Sequence, residues 1–220
     1  MGGLRRLTPI SRQFGFDRGK PIDRYYIEDF LGRFSGVPGY VDGDIRGRVL
    51  EVGDDVYTRH FGRPERVDVL HVSEANSEAT VIGRLETGEG IPADQFDCVI
   101  CTQTLHLLFD FRGAIESLHR MLKPGGVLLV TFPGLSQSCN PDRDLWGDHW
   151  RFTSRSARLL FEEHFQPEAV TVEAYGNVLT AVGFLHGLAA EEFDAAELRL
   201  RDPDYEVLIG VRAMKPEGRR

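Results

Sequence analysis

The sequence predicts an α/β fold, a doubly wound and mostly parallel sheet with helices on both faces. Three observations carry that reading. Residues 48–52, Arg-Val-Leu-Glu-Val, run directly into Gly53, Asp54 and Asp55, the form of a buried parallel strand that ends in a tight turn and a helix. Residues 122–130, Leu-Lys-Pro-Gly-Gly-Val-Leu-Leu-Val, stop a helix with Pro and Gly and feed a second buried strand. Strand-like and helix-like stretches alternate across short turns, which means right-handed crossovers. In such open sheets the crevice beyond the carboxyl ends of the strands is where ligands bind.

The elements follow in order. Residues 1–47 form an N-terminal lid or helical segment, and 48–220 a single domain. Pro21 opens a helix over 22–31 with Ile22, Tyr26, Ile27, Phe30 and Leu31 on one face. That helix reads either as a cap over a ligand site or as an amphipathic helix packed on the sheet. A glycine-rich loop spans 34–47. Strand one, 48–52, leads into a short helix from Asp54 or Asp55 to about Phe61, ended by Gly62 and Pro64. Strands follow at 66–72, 79–82 and 96–101. A helix at 114–122 turns Ile115, Leu118, Met121 and Leu122 inward, and strand five covers 127–132. The polar stretch 133–151 holds Trp146, His149 and Trp150 and suits an active-site loop at a strand's carboxyl end. Thr153 or Ser154 caps the next helix. A strand at 169–175, an apolar helix at 177–192 and a strand at 205–214 close the chain.

Bulk composition narrows the function. A chain of 220 residues suits one domain with a full core, and 41% hydrophobic with 27% charged residues is ordinary for a soluble protein. The formal net charge of -8 argues against a nucleic-acid surface, which needs clustered Lys and Arg. A neutral or cationic small molecule is the better partner. No apolar run reaches membrane-spanning length, so the expected compartment is the cytoplasm, with no membrane contact. Cys98 and Cys101 spell C-x-x-C inside a strand, where side chains three apart point to opposite faces. They read as two buried hydrophobes and not as metal ligands.

Together the stretches at 48–57 and 122–130 resemble the class I S-adenosylmethionine-dependent methyltransferases, of the type 11-like kind, over roughly residues 46–165. The resemblance implies a Rossmann-like seven-stranded sheet with an antiparallel last strand, and S-adenosylmethionine as cofactor. Its first motif is an acid followed by glycines at alternate positions. Glu51 and Gly53 match, with Asp54 between the glycine positions, while Asp55 and Tyr57 replace the second and third glycines. The ribose acid at the end of strand two falls to His71, with Glu74 three residues on. The Gly-Asp pair near the adenine becomes Gly83-Arg84. The fourth motif, 96–105, is well kept and brings Thr102 and Gln103 to the cofactor.

On the acceptor side the resemblance implies Arg24, Tyr25 and Tyr26 on the lid, and Trp146 and Trp150 on the loop after strand five. Such an enzyme holds the acceptor in line with the methyl group, and a general base helps when the acceptor is a hydroxyl. His149, beside Asp148, is the first candidate base and His106 the second. The expected reaction is O-methylation of a sugar or secondary metabolite, by a possible homodimer. The side chains at Asp55, His71 and Arg84 leave a second reading open. In it the fold no longer transfers methyl groups, and serves as a partner subunit or catalyses another reaction. A nicotinamide-type G-x-G-x-x-G, a P-loop and a G-x-S-x-G elbow are absent.

Overall fold

Seven strands form one sheet in the order β3-β2-β1-β4-β5-β7-β6 in the computed structural model, which describes residues 6–35, 43–139 and 145–218. The strands are β1 (Arg46–Val52), β2 (Arg63–His71), β3 (Val81–Ile82), β4 (Phe96–Thr102), β5 (Leu122–Pro133), β6 (Val170–Tyr175) and β7 (Leu208–Met214). The helices are α1 (Ile22–Arg33), α2 (Val56–Phe61), α3 (Phe111–Met121), α4 (Ser154–Phe161), α5 (Val178–Leu185) and α6 (Ala195–Arg199). Parts of two predicted loops, 36–42 and 140–144, lie outside the described residues. Among those residues no helix is long and apolar enough to cross a membrane.

Strand β1 pairs in parallel with β2 on one side and β4 on the other. The chain leaves these two neighbours in opposite directions, so the order reverses between β1 and β4. That reversal opens a crevice beyond Val52 and Thr102. The last strand, β7, lies between β5 and β6 and runs antiparallel to both, so β6 rather than β7 forms the sheet edge.

The core has two layers because the strands are apolar on both faces. Val49, Cys98, Ile100 and Leu129 pack against α1. Leu50, Val99, Cys101 and Leu128 pack against α3 and α4. Cys98 and Cys101 therefore stand on opposite faces, and burial pushes both thiols up, Cys101 to about 12. Helix α1 is built into the first layer: Ile22, Tyr26, Ile27, Phe30 and Leu31 are all within 1% of full burial. Its closest approach needs a glycine, since a Cβ on Gly210 of β7 would lie 2.5 Å from the Phe30 ring.

Several predicted boundaries moved, three of them for a clear local reason. Helix α3 starts at Phe111 because the Asp110 carboxylate accepts the Gly113 N–H at 3.0 Å. Strand β5 begins at Leu122, which pairs with Phe96 ahead of an irregularity in the ladder. The apolar helix predicted at 177–192 opens on a capping box at Asn177 and ends at Leu185. Gly187 then turns at φ +71, where a Cβ would meet the Ser11 carbonyl at 2.4 Å. A 3-10 turn and the short α6 follow.

Candidate active site

The crevice begins at Gly53. Its φ of +97 is left-handed, and a Cβ there would meet nothing within 4 Å, so its backbone faces open space. The Gly53 N–H donates to the Leu70 carbonyl at 3.0 Å, and its own carbonyl accepts from Asn76 Nδ2 at 2.7 Å. Glu51 lies beneath. Its carboxylate is 1% exposed and accepts the N–H groups of Tyr57 (3.2 Å) and Thr58 (2.7 Å), which starts α2. Burial outweighs those hydrogen bonds and pushes the Glu51 carboxyl to about 7. Asp54 stands at the crevice wall, with Oδ1 accepting the Val56 N–H at 3.1 Å. Asp55 turns away and pairs with Arg59 one helical turn on.

Among the described residues, three chambers around this crevice meet at Gln103. The first, about 380 Å³ and beside β2, is lined by Gly53, Leu70, His71, Leu85, Leu107 and Trp146 among others. The His71 ring stands edge-on to Trp146 at 5.9 Å, and its Nδ1 lies 2.9 Å from the Ser73 carbonyl. Gly83 and Leu85 line this chamber, whereas Arg84 between them is exposed outside it. Glu74 is exposed and also stands outside. The second chamber, about 520 Å³, lies under α1 and includes Lys20, Arg24, Asp54, Tyr57 and Thr102. The third, about 540 Å³, includes Arg12, Arg24, His106, Asp148 and Arg151.

Gln103 lines all three chambers. It follows β4 at φ +47, an uncommon conformation for a side chain with a Cβ. Its N–H donates to the Thr131 carbonyl at 2.8 Å, which fixes the turn. Its Nε2 is buried with no hydrogen-bond partner. A buried donor without a partner costs about 1–3 kcal/mol, so this atom is set to meet a ligand.

An ion pair braces the third chamber. The nearly buried Asp148 carboxylate accepts from Arg151 at 2.5 and 3.1 Å and from the Cys139 N–H at 3.1 Å. Burial alone would raise its pKa, but Arg151, the Cys139 N–H and nearby His106 together hold it below the ordinary carboxylate value. The His106 carbonyl accepts the N–H groups of His149 (2.9 Å) and Trp150 (3.2 Å). His106 itself is in the wall, while His149 is exposed, edge-on to Phe109 at 5.4 Å and outside the three chambers. The geometry thus brings the second candidate base to the site and leaves the first on the rim.

Other predicted residues divide the same way. Arg24 reaches the junction of the second and third chambers. Tyr26 is 1% exposed and packs on Tyr175 at 5.6 Å. Tyr25 faces a separate hollow of about 210 Å³ beside Arg201. Trp150 lies between Phe109 and Phe111, its Nε1 donating to the Leu108 carbonyl at 3.1 Å. Sequence reasoning missed Arg12. No local pattern marks it, because its place depends on residues 10–12 crossing to α5 and the loop after β5. There the Ile10 and Ser11 N–H groups donate to the His186 carbonyl, and Gln137 Nε2 donates to the Arg12 carbonyl at 2.9 Å.

Comparison with known proteins agrees with this fold. Residues 20–184 match the methyltransferase domain family. The ubiquinone/menaquinone biosynthesis C-methyltransferase UbiE of Haemophilus ducreyi is 33% identical over 106 residues, 46% of this chain and 36% of that protein. UbiE of Pasteurella multocida is 34% identical over 106 residues, 46% of this chain and 35% of its own. The matched stretch is thus only about a third of these relatives' length. Among solved structures, the N-methyltransferase NodS from Bradyrhizobium japonicum WM9, in complex with S-adenosylhomocysteine, superposes with a TM-score of 0.54 at 18% identity and 95% coverage of both chains. The [4+2]-cyclase SpnF gives 0.54 at 16% identity, covering 91% of this chain and 85% of its own. These likenesses show a shared fold. With the domain match extending over most of the chain, and with this strand order, the chain belongs to the class I S-adenosylmethionine-dependent methyltransferases.

Proposed function

We propose that this chain transfers a methyl group from S-adenosylmethionine to an oxygen atom of a small molecule held beside His106. The observation that carries this reading is the meeting of three chambers at Gln103, on the switch point of the sheet. The cofactor, when bound, supplies a methyl group on a sulfonium that needs no further activation. Gly53, Leu85 and Trp146 shape the first chamber for its flat heterocycle. His71, whose Nδ1 meets the Ser73 turn, would hold the sugar through its other ring nitrogen, and the Asp54 carboxylate would hold the ammonium of the amino-acid end. Asp55 and Arg84, two of the three side chains behind the non-methylating reading, stand outside these chambers and obstruct neither.

On the acceptor side, His106 takes the hydroxyl proton as the oxygen attacks, and the anionic Asp148 favours the resulting imidazolium. The acceptor's exact placement by the chamber walls supplies much of the rate. The similarity to the UbiE C-methyltransferases favours a second reading, in which the methyl group goes to carbon and His106 removes the proton that activates it. Calorimetric titration with S-adenosylhomocysteine, followed by transfer of labelled methyl groups to hydroxylated and carbon acceptors, tests both. Binding at one site per chain supports the donor assignment, and no heat at millimolar ligand overturns it.

A further inference from the structure

The third chamber has a surplus of donors. Among the described residues its wall carries three guanidinium groups, from Arg12, Arg24 and Arg151, and two carboxylates, from Asp23 and Asp148. Arg151 is committed to Asp148, with further bonds from its Nη atoms to the Gln137 and Trp150 carbonyls. Arg24 lies 5.9 Å over the Phe16 ring and hydrogen-bonds the Tyr57 side chain, but neither it nor Arg12 makes an ion pair among the described residues. Asp23 accepts the Arg24 N–H at 2.8 Å, and burial pushes its carboxyl up. At the chamber's inner end sits the buried Gln103 Nε2, a donor with no acceptor. The chamber therefore opposes the chain's net charge of -8. Local fields in a cleft are set by the groups that line it, not by the total.

We propose that the acceptor of this enzyme carries an oxyanion, a carboxylate by the count of charges, read by Arg12 and Arg24 at the mouth of the chamber and by the Gln103 amide within. This rests on the reading that the third chamber takes the acceptor. It reverses the neutral or cationic partner that net charge alone suggests. Guanidinium groups suit this role because their planar fork matches an oxyanion. The Gln103 amide ties acceptor placement to the point where the donor chambers meet.

The test uses the full chain saturated with S-adenosylhomocysteine, titrated with benzoate, its neutral isostere benzamide, and phenyl phosphate. The expected result is benzoate binding about tenfold or more tighter than benzamide, the effect of one charge-assisted hydrogen bond. Arg12→Gln, at an exposed position that leaves the core untouched, removes that preference, and Gln103→Glu removes it by replacing a donor with an acceptor. Phenyl phosphate binding tighter than benzoate supports the oxyanion and assigns it to phosphate. Equal binding of benzoate and benzamide, no binding of benzoate, or an Arg12→Gln protein that keeps the preference overturns the proposal. Repeating the series without S-adenosylhomocysteine separates the two readings. Failure of the nucleotide to bind removes the donor assignment, while the acid-over-amide preference still decides the acceptor class.

Discussion

Replacing Glu51 by Gln should remove a pH dependence of folding that the wild-type chain carries. The Glu51 carboxyl is 1% exposed and its pKa lies near 7 in the folded chain, against an ordinary 4.5. Between those values the folded chain holds a proton that the unfolded chain has lost. The contribution is therefore fully present below pH 4.5 and lost as pH rises through 7. At about 1.4 kcal/mol per pH unit, the whole fall is roughly 3 kcal/mol. Gln has no proton to lose, and it retains one oxygen for the Tyr57 and Thr58 N–H groups. Its lost hydrogen bond lowers stability by about 1 kcal/mol at every pH, so the sign of the net effect at one pH decides nothing. The change with pH does. Urea unfolding of both proteins from about pH 5 to pH 8, at constant ionic strength, should show Glu51→Gln gaining roughly 2 kcal/mol on the wild type across that range. A wild-type-to-variant difference that stays constant across the range would refute the assignment of a buried, protonatable acid under α2.

Three further outcomes test the site. Gly53→Arg should abolish S-adenosylhomocysteine binding while lowering stability by only about 1–3 kcal/mol, the strain of a side chain at φ +97; calorimetry and thermal unfolding of the same preparation check both halves. His106→Ala should slow methyl transfer by about 10²–10⁴-fold with S-adenosylhomocysteine affinity unchanged, while His149→Ala stays close to wild type; steady-state rates of the two variants decide which histidine is the base. Asp55→Gly and Arg84→Ala should each change S-adenosylhomocysteine affinity by less than about threefold, under 1 kcal/mol, since neither side chain faces the chambers; a larger gain on Asp55→Gly would show that the aspartate crowds the cofactor after all.

The fold is largely legible in the sequence. The strand-to-glycine transition at Gly53, the glycine-to-strand transition after Leu122, the inward face of α1 and the strand-phase split of Cys98 and Cys101 are local signals, and periodicity reads them directly. The sequence also located the crevice, because motif order and the switch point follow from the alternation of strands and helices. It does not decide which side chains enter. Asp55 and Arg84 occupy cofactor positions by alignment to a motif, but one turns to Arg59 and the other lies outside the wall, since direction depends on neighbouring elements and not on spacing. In the sequence the histidines differ only in loop context. Only the hydrogen bonds from residues 149 and 150 to the His106 carbonyl decide that His106 lines the chamber and His149 the rim. Arg12 joins the site from the far end of the chain, where residues 10–12 meet α5 and the loop after β5. Contacts between residues so distant in sequence leave no periodic trace, so that part of the site was settled by tertiary structure alone.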